Sequence, residues 1–340
     1  MEKLTNISLK PYNSFGIDVK ARKMFIIKDI YELTDSFETA FASDKTWIIL
    51  GGGSNILFTE DYNGNVIKID FKGIQVLDIT AEHVYIRANA GEEWDNFVNF
   101  CVENNLGGLE NLSYIPGSAG ASPIQNIGAY GVELKDFFHS LEAMEIATGT
   151  IKRFKKAECN FGYRTSVFKT ALKNKYVICS VIFKLDLNHK INRGYKAIDE
   201  YLTQNKINSP AIGDIRKAII HIRKSKLPDP KYLGNAGSFF KNPVISKKCF
   251  KELKNKFPNI PAFNDKKGYI KIPAGWLIEQ TGWKGYRKGN VGVYDKQALV
   301  IVNHGSANGG EVLGLANMIK QSVYEKFGIK LEPEVNIIKS

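Results

Sequence analysis

The stretch from Gly107 to Glu133 constrains the fold of this chain more than any other segment. It contains six glycines and two prolines, with small side chains between many of them. Glycine permits positive φ and lets the backbone approach another surface closely. A flexible linker would carry more polar and charged residues. Two interpretations therefore stay open: a backbone lining whose N–H groups bind a large or phosphorylated ligand, or a tight crossing through the core.

The composition indicates a globular protein that prefers anionic partners. The 340 residues are enough for two or three domains, and 44% are hydrophobic and 24% charged. The net charge of +12 favours nucleotides, nucleic acid or a membrane surface as partners. A nucleic-acid-binding module is the least supported of these classes, because the sequence has no dense basic arm and no known binding motif.

The cysteines and the N-terminus predict a location. The four cysteines form no CxxC pair and no metal-ligand spacing with the five histidines. This pattern predicts free thiols, no metal and a reducing compartment. The first residues lack the charged and then apolar plan of a signal peptide. Since no apolar run approaches the roughly 20 residues of a membrane span, we expect a cytoplasmic protein without membrane insertion.

The first third of the chain predicts an α/β unit. A strand is expected at Met24–Lys28, a helix at Asp29–Ala42 and an apolar strand at Trp47–Leu50. GGGSN at 51–55 then breaks the strand, but it lacks the GxGxxG fingerprint, so any phosphate here would be bound by a loop. Asn63-Gly64 predicts a turn between further strands.

The middle of the chain predicts helices around a polar interval. Apolar residues recur at helical spacing over Gly91–Leu106, and Gly107 stands where a C-cap glycine is expected. The interval Asn188–Asn208 is polar and longer than an ordinary connection, which predicts a functional loop. A basic helix at Ala211–Lys224 is expected to end at the paired prolines of KLPDP, residues 226–230.

Three polar residues could carry chemistry, although each has a structural alternative. Arg164, in FGYRTS, can clamp a carboxylate or phosphate, or form a structural salt bridge. Ser238 follows Gly237 and is either a proton donor or a turn serine. Glu334 follows a proline in the terminal strand and is either a buried carboxylate with an altered pKa or a solvent-facing residue. HExxH, P-loop and GxSxG motifs are absent.

Seven motifs in a fixed order carry a family resemblance. They are GGGSN at 51–55, IPGSAGASPIQNIGAYG at 115–131, YR at 163–164, KLPDP at 226–230, GNAGSFFKNP at 234–243, AGWLIEQ at 274–280 and LEPEV at 331–335. In this order they resemble the UDP-N-acetylenolpyruvoylglucosamine reductases, the MurB flavoenzymes of peptidoglycan precursor synthesis. The resemblance runs from about Asn13 to Val335.

The resemblance implies a fold and its domains. It implies an α+β / α/β protein with a two-subdomain FAD-binding part of the vanillyl-alcohol-oxidase (PCMH) type and a C-terminal α+β substrate domain. The first FAD-binding subdomain would be 1–66, and segment 329–340 would return to it. The second would be 67–215, with an inserted loop at about 188–208. The substrate domain would be 216–328.

The resemblance also implies the reaction. It implies a UDP-N-acetylmuramate dehydrogenase, in which NADPH reduces a non-covalently bound FAD. Flavin N5 then passes hydride to UDP-N-acetylglucosamine enolpyruvate, giving UDP-N-acetylmuramate for cell-wall biogenesis, cell shape and cell division. Ser238 would protonate the enolic carbon. Arg164 and Glu334 would flank the substrate carboxylate and stabilise the enolate-like intermediate.

The remaining site residues follow from the same motifs. The implied FAD-binding residues are Gly51, Gly52, Gly53, Ser54, Asn55, Gly117, Ser118, Gly120, Gln125 and Tyr163. The implied substrate-binding residues are Tyr195, on a loop that closes over substrate, and Lys226, Asn242 and Gln297, which match positions that bind the UDP part. The sequence Gly194-Tyr195-Lys196 departs from the commoner Tyr-Gly pattern, so Tyr201 is the alternative loop tyrosine. We expect a monomer.

A second enzyme class stays open at this point. An FAD-dependent oxidase of the same fold would pass electrons to oxygen. Many such oxidases tether the flavin to a histidine near the first glycine loop, whereas GGGSN offers serine and asparagine and His83 lies far along the chain. Denaturation is therefore expected to release FAD.

Overall fold

The computed structural model describes residues 1–35 and 46–339 as two compact units. The predicted boundary at residue 215 stays a prediction; the two compact units separate after Lys224, and both positions lie within the helix Ile212–Lys226. The division of the FAD-binding part at residue 66 stays a prediction. Unit 1 comprises Met1–Ile7, Ala21–Gly53 and Asn63–Lys224, and unit 2 comprises Ser8–Lys20, Ser54–Tyr62 and Ser225–Ser340.

The helices and strands of the described residues are as follows. The helices are α1 (Ile30–Asp35), α2 (Trp94–Glu103), α3 (Lys196–Gln204), α4 (Ile212–Lys226), α5 (Lys247–Lys256), α6 (Ala274–Gln280) and α7 (Gly309–Phe327). The strands are β1 (Glu2–Ser8), β2 (Lys20–Ile27), β3 (Trp47–Leu50), β4 (Ile56–Phe58), β5 (Tyr62–Ile69), β6 (Ile74–Ile79), β7 (His83–Asn89), β8 (Gly128–Ala129), β9 (Val132–Glu133), β10 (Phe138–Glu145), β11 (Ile151–Lys155), β12 (Tyr176–Asp186), β13 (Gly234–Ser238), β14 (Val244–Ser246), β15 (Phe263–Asn264), β16 (Tyr269–Lys271), β17 (Arg287–Lys288), β18 (Val291–Val293), β19 (Val300–Asn303) and β20 (Asn336–Ile338).

Unit 1 is built on two sheets, ordered β1-β2-β5-β3 and β11-β10-β12-β7-β6. Helix α2 packs its apolar face on the second sheet, because Trp94, Phe97 and Cys101 recur at helical spacing and are buried. The rings of Trp94 and Phe97 lie 5.8 and 5.0 Å from that of Phe183 on β12. The indole N–H of Trp94 donates to the carbonyl of Leu112 at 2.8 Å, which joins this core to the Gly107–Glu133 stretch.

Unit 2 contains three small sheets, ordered β13-β19-β18-β17, β14-β16-β15 and β20-β4, the last a parallel pair. The long helix α7 begins with a capping box between Asn308 and Glu311 and ends at Gly328, whose φ is +67°. The mixed helix and strand content agrees with the expected α+β class. None of the helices in residues 1–35 and 46–339 is long and apolar enough to span a membrane.

Two local predictions are wrong at glycines. Helix α2 ends at Glu103 and Asn105 takes the left-handed conformation (φ +55°), so Gly107 is not its cap. Instead the Gly107 amide and carbonyl pair with Asp186 at 3.0 and 3.1 Å, and a Cβ on Gly107 would lie 2.2 Å from His189. The turn predicted at Asn63-Gly64 is also absent, because both residues lie inside β5, a central strand of its sheet.

The polar interval Asn188–Asn208 is not one irregular loop, since it contains α3. Ile198 and Leu202 of this helix are buried against the apolar side of α4. A few apolar residues at four-residue spacing are sufficient for a stable helix here, because the neighbouring helix α4 covers them. Most of the helix predicted at Asp29–Ala42 lies outside the described residues, and its described part is α1.

Candidate cofactor and catalytic site

The two glycine-rich segments of unit 1 meet through their backbones. A Cβ on Gly51 would lie 2.5 Å from Ser118 Oγ, and one on Gly52 would lie 2.8 Å from Gly117 Cα. Real Cβ atoms do not tolerate such distances, so a larger residue at Gly52 would move one segment, and one at Gly51 would displace the Ser118 side chain. The structure thus brings together Gly51, Gly52, Gly117 and Ser118, which the sequence assigned to one cofactor.

The segment Gly117–Gly120 is fastened to the connection between β7 and α2. The Ala119 amide donates to Glu92 O at 2.8 Å, and the Gly120 amide donates to Ala90 O at 2.9 Å. A Cβ on Gly120 would lie 2.5 Å from Ala90 Cβ. These bonds fix the backbone of the segment, and the short distance to Ala90 explains why its side chains are small.

The paired glycine segments have the donors that a diphosphate requires. Within residues 1–35 and 46–339, no hydrogen-bond acceptor is found for the amide N–H groups of Gly52, Gly53 and Ser118. Lys68 Nζ donates to Gly51 O at 3.2 Å, which places a positive charge at this loop. Burial lowers the pKa of Lys68, and Asp70, 3.7 Å away, opposes that shift. Backbone donors beside a cation fit the FAD diphosphate.

A short hairpin of the same stretch holds Arg164. Strands β8 and β9 are joined by a two-residue turn in which Tyr130 (φ +49°) and Gly131 (φ +82°) both have positive φ. Gly128 O on this hairpin accepts a 2.6 Å hydrogen bond from Arg164 Nη2. The guanidinium also lies 5.6 Å from the centre of the Tyr163 ring. The glycine-rich stretch therefore orients a catalytic candidate as well as the cofactor loop.

Arg164 itself sits on a tight turn. The Gly162 amide donates to Thr165 O at 3.0 Å, and Arg164 has a φ of +52°, which is rare for a side chain of this kind. Asn126 Nδ2 donates to Gly162 O at 3.0 Å and fixes this turn to the stretch. Sequence reasoning missed Asn126, although an asparagine among glycines is a known signal for positive φ, and its φ is +48°. Gln125 accepts a 3.3 Å hydrogen bond from Lys169.

The structure separates the two candidate loop tyrosines. Tyr195 is 46% exposed just before α3, and its ring packs edge-on against Tyr130 at 5.0 Å. Tyr201 lies inside α3 and packs against His221 of α4 at 5.1 Å.

Arg223, which the sequence left unassigned, donates to Tyr114 O at 2.9 Å, and burial lowers its pKa.

In unit 2, Ser238 follows a β-bulge. The register of β13 against β19 shifts between Asn235 and Ser238, and Gly237 takes a φ of +68°. The Asn235 side chain accepts from the Gly237 amide at 2.9 Å and holds the bulge. Such bulges redirect a side chain and are common beside active sites. Ser238 is half-buried.

Glu334 lies beside the same strand end. Its amide donates to Phe239 O at 2.8 Å, and its carbonyl accepts from Asn55 Nδ2 at 3.3 Å. Unit 2 therefore brings together Ser238, Glu334 and Asn55, three residues far apart in the sequence. Glu334 is half-buried and precedes β20, where regular pairing begins, as Pro333 predicted.

Two of the three expected UDP-binding residues lie at α6. Asn242 Oδ1 accepts from the Ala274 amide at 2.9 Å, and Gln297 Oε1 lies 3.1 Å from the Cβ position of Gly275. Lys226 is exposed at the end of α4. In the described parts of the chain, no cluster of His, Cys, Asp or Glu could hold a metal ion.

Comparison with known proteins places this architecture in a class. Residues 22–155 match the family model described as "FAD binding domain", and residues 229–338 match "UDP-N-acetylenolpyruvoylglucosamine reductase, C-terminal domain". The crystal structure of the reductase MurB from Thermus caldophilus has the same fold, with a TM-score of 0.68 at 22% identity over 99% of this chain and 98% of that one. The chain is thus a flavoprotein with a PCMH-type FAD-binding part and a MurB-type C-terminal domain.

Curated relatives establish the family. UDP-N-acetylenolpyruvoylglucosamine reductase of Flavobacterium johnsoniae is 48% identical over 99% of this chain and all of the relative. The enzyme of the same name from Amoebophilus asiaticus is 48% identical over both full lengths, and that of Pseudomonas aeruginosa is 43% identical over 99% of each. The chain belongs to the UDP-N-acetylenolpyruvoylglucosamine reductase family and is an oxidoreductase of peptidoglycan synthesis.

Proposed function

We propose that this protein catalyses the NADPH-dependent reduction of UDP-N-acetylglucosamine enolpyruvate to UDP-N-acetylmuramate, as a UDP-N-acetylmuramate dehydrogenase. The observation that carries the proposal is the grouping of Ser238 and Glu334 beside Asn55 in unit 2. Ser238 contributes the hydroxyl of the proposed proton donor, and Glu334 contributes a carboxyl group for the substrate. Asn55 belongs to the glycine loop proposed to bind the flavin cofactor. The names of the full-length relatives support the same reaction.

The glycine segments hold the cofactor. FAD held there would supply the hydride-transfer chemistry between NADPH and the enolpyruvyl group. Gly51–Asn55 and Gly117–Gly120 offer backbone donors to the diphosphate, and Lys68 adds a positive charge there. Gln125 and Tyr163 lie on the segments that hold Arg164 and would face the flavin.

Ser238 supplies the proton to the enolic carbon. A serine hydroxyl is a poor acid in water, so the transfer depends on fixed surroundings that stabilise the charge left behind. The bulge at Gly237 and the pairing of Ser238 with Val300 fix this side chain. Glu334 is anchored to the residue after Ser238, and its carboxylic acid form can donate a hydrogen bond to the enolate-like intermediate, whereas its anion would repel that charge.

Arg164 binds the substrate carboxylate. Its bond to Gly128 O uses one Nη2 donor, and the fork geometry of a guanidinium allows other donors to bind an anion. Lys226, Asn242 and Gln297 bind the UDP part. Tyr195 is exposed and packs on Tyr130, and it contacts the substrate from the segment that precedes α3.

The proposal is tested by Ser238→Ala. NADPH should still bleach the flavin of the variant at the normal rate, whereas turnover with the enolpyruvyl substrate should fall about a hundredfold or more, the range of a lost general acid. Ser306→Ala, which removes an exposed serine of the same unit, is the matched control. Unchanged turnover in Ser238→Ala would remove this residue from the acid role.

Purified protein tests the cofactor. It should be yellow and should release FAD on denaturation. NADPH should reduce and bleach the flavin more readily than oxygen reoxidises the reduced flavin. Rapid oxygen consumption without the enolpyruvyl substrate would favour an oxidase. We also propose a monomer in the cytoplasm, because four dispersed cysteines without a CxxC pair are typical of a reducing compartment.

A further inference from the structure

The net charge is concentrated in one short region of unit 2. Residues 241–271 contain nine lysines against Glu252 and Asp265, which gives +7 of the net +12 of the chain. The same residues contain no arginine. The cofactor loops, Arg164 and Ser238 all lie outside this region, and the one proposed substrate-binding residue within it is the uncharged Asn242, so the residues proposed for the reaction do not include its lysines.

The three-stranded sheet in this region exposes aromatic residues on one face. Phe263 on β15 lies opposite Lys271, and Tyr269 on the same strand as Lys271 lies two residues away, so all three share a face. Phe263 is 58% exposed and Tyr269 is 49% exposed. Ile270 points to the other face and is buried. The outer face therefore presents two solvent-exposed aromatic rings beside Lys271.

Lysines surround this aromatic face. Lys266 and Lys267 lie on the turn between β15 and β16, whose Gly268 carbonyl accepts from the Lys247 amide at 2.9 Å. This bond places the start of α5, with Lys247 and Lys248, beside the turn. The four lysines, with Phe263 and Tyr269, are called the lysine patch below.

The charge of the patch is not compensated within the protein. In the part of the chain that the structure describes, none of its four lysines forms an ion pair. All four are exposed, and α5 has no buried residue. Desolvating them against an anionic surface therefore breaks no existing pair.

We propose that the lysine patch docks the enzyme on an anionic lipid bilayer surface. Lysine ammonium groups near such a surface are each stabilised by its potential, and exposed aromatic rings enter the headgroup layer. A single-stranded nucleic acid is the other polyanion that stacks on aromatic rings, and arginine commonly adds cation–π and bidentate phosphate contacts at its sites. The absence of arginine favours the bilayer.

The test is flotation of the full-length holoprotein with two kinds of vesicle, phosphatidylcholine alone and equal parts of phosphatidylcholine and phosphatidylglycerol. Binding is expected only to the anionic vesicles, and it should weaken as salt rises. Lys266→Gln with Lys267→Gln should lower the partition coefficient roughly thirtyfold, equivalent to about 1 kcal/mol for each lysine. Lys247→Gln with Lys248→Gln should have an effect of the same order.

Matched controls separate a specific patch from net charge. Lys173→Gln with Lys175→Gln removes the same charge from exposed positions of unit 1 and should leave vesicle binding almost unchanged. Tyr269→Ser should reduce the binding that persists at high salt. Reductase turnover and flavin content report that each variant is folded.

Three results would overturn the proposal. They are equal binding to neutral and anionic vesicles, an equal loss in the Lys173–Lys175 control, and binding to single-stranded RNA by the same lysines without vesicle binding. None of these results bears on Ser238 or on the reductase reaction, so the two proposals fail separately.

Discussion

Two glycines of this protein, Gly52 in unit 1 and Gly237 in unit 2, are required for different physical reasons. In unit 1, Gly52 has no positive φ, but a Cβ there would lie 2.8 Å from Gly117 Cα. In unit 2, Gly237 has a φ of +68°, and nothing lies within 4 Å of its Cβ position. Gly52 therefore serves the close approach of two backbones, whereas Gly237 serves a left-handed conformation. The same residue type answers a steric demand at one position and a conformational demand at the other.

Arg164 departs from this contrast, because unit 1 places a large side chain at positive φ. Arg164→Asn keeps a residue that tolerates φ +52° but removes the guanidinium. Turnover should fall about a hundredfold or more, as when one charge-stabilising donor is lost, while the melting temperature changes little. Steady-state kinetics and a thermal melt check both parts. Arg287→Asn, at an exposed site of unit 2, is the control; similar turnover in the two variants would contradict the proposed role.

Gly52→Ala tests the steric half of the contrast. The added methyl group forces the two glycine segments apart, and such overpacking typically costs about 1–3 kcal/mol. Because these segments are proposed to bind the FAD diphosphate, the Kd for FAD should rise at least about tenfold. Flavin fluorescence on titrating the apoprotein measures it. Gly213→Ala is the control, since its Cβ position in α4 is open, and normal FAD affinity in Gly52→Ala would mean that the cofactor binds elsewhere.

Gly237 tests the conformational half. Gly237→Ala has room for its methyl group but keeps φ +68°, at a cost of about 1–2 kcal/mol. Gly237→Asn should recover much of this loss because asparagine tolerates the left-handed region. FAD affinity should be normal in both variants, and turnover should follow the stability of the bulge. Equal destabilisation by alanine and asparagine would show that space, not conformation, selects glycine here.

The smallest expected effect concerns one histidine of each unit. Burial, and then Arg153, Lys184 and Lys155, hold the pKa of His139 below its usual value, while burial and Arg287 do the same for His304. The unfolded chain therefore takes up these protons first as pH falls, so both histidines make stability decline as pH drops below the usual histidine pKa. NMR titration should show both shifts. Lys184→Gln should raise the pKa of His139 alone, and a parallel change at His304 would contradict this assignment.

The sequence carried much of the site because its motifs are local. The apolar strand at Trp47–Leu50 and the basic helix that ends before the prolines of KLPDP were visible from apolar runs and proline signals. Local patterns gave wrong predictions where an element distant in the sequence determines the secondary structure. Helix α3 became stable against α4, and Asn63-Gly64 became part of a central strand because strands on both sides pair with it.

By itself, the sequence determined the family, the order of the motifs and the residue types available for cofactor and proton transfer. Only the tertiary structure decided what the Gly107–Glu133 stretch does, because its composition fits a ligand lining and a tight crossing equally well. The stretch packs backbone against backbone at Gly52 and Gly117 and orients Arg164 through Gly128 O, and its amides are those that we propose for the FAD diphosphate. Contacts such as that between Gly52 and Gly117 join residues far apart in the chain, and no local preference encodes a distance between them.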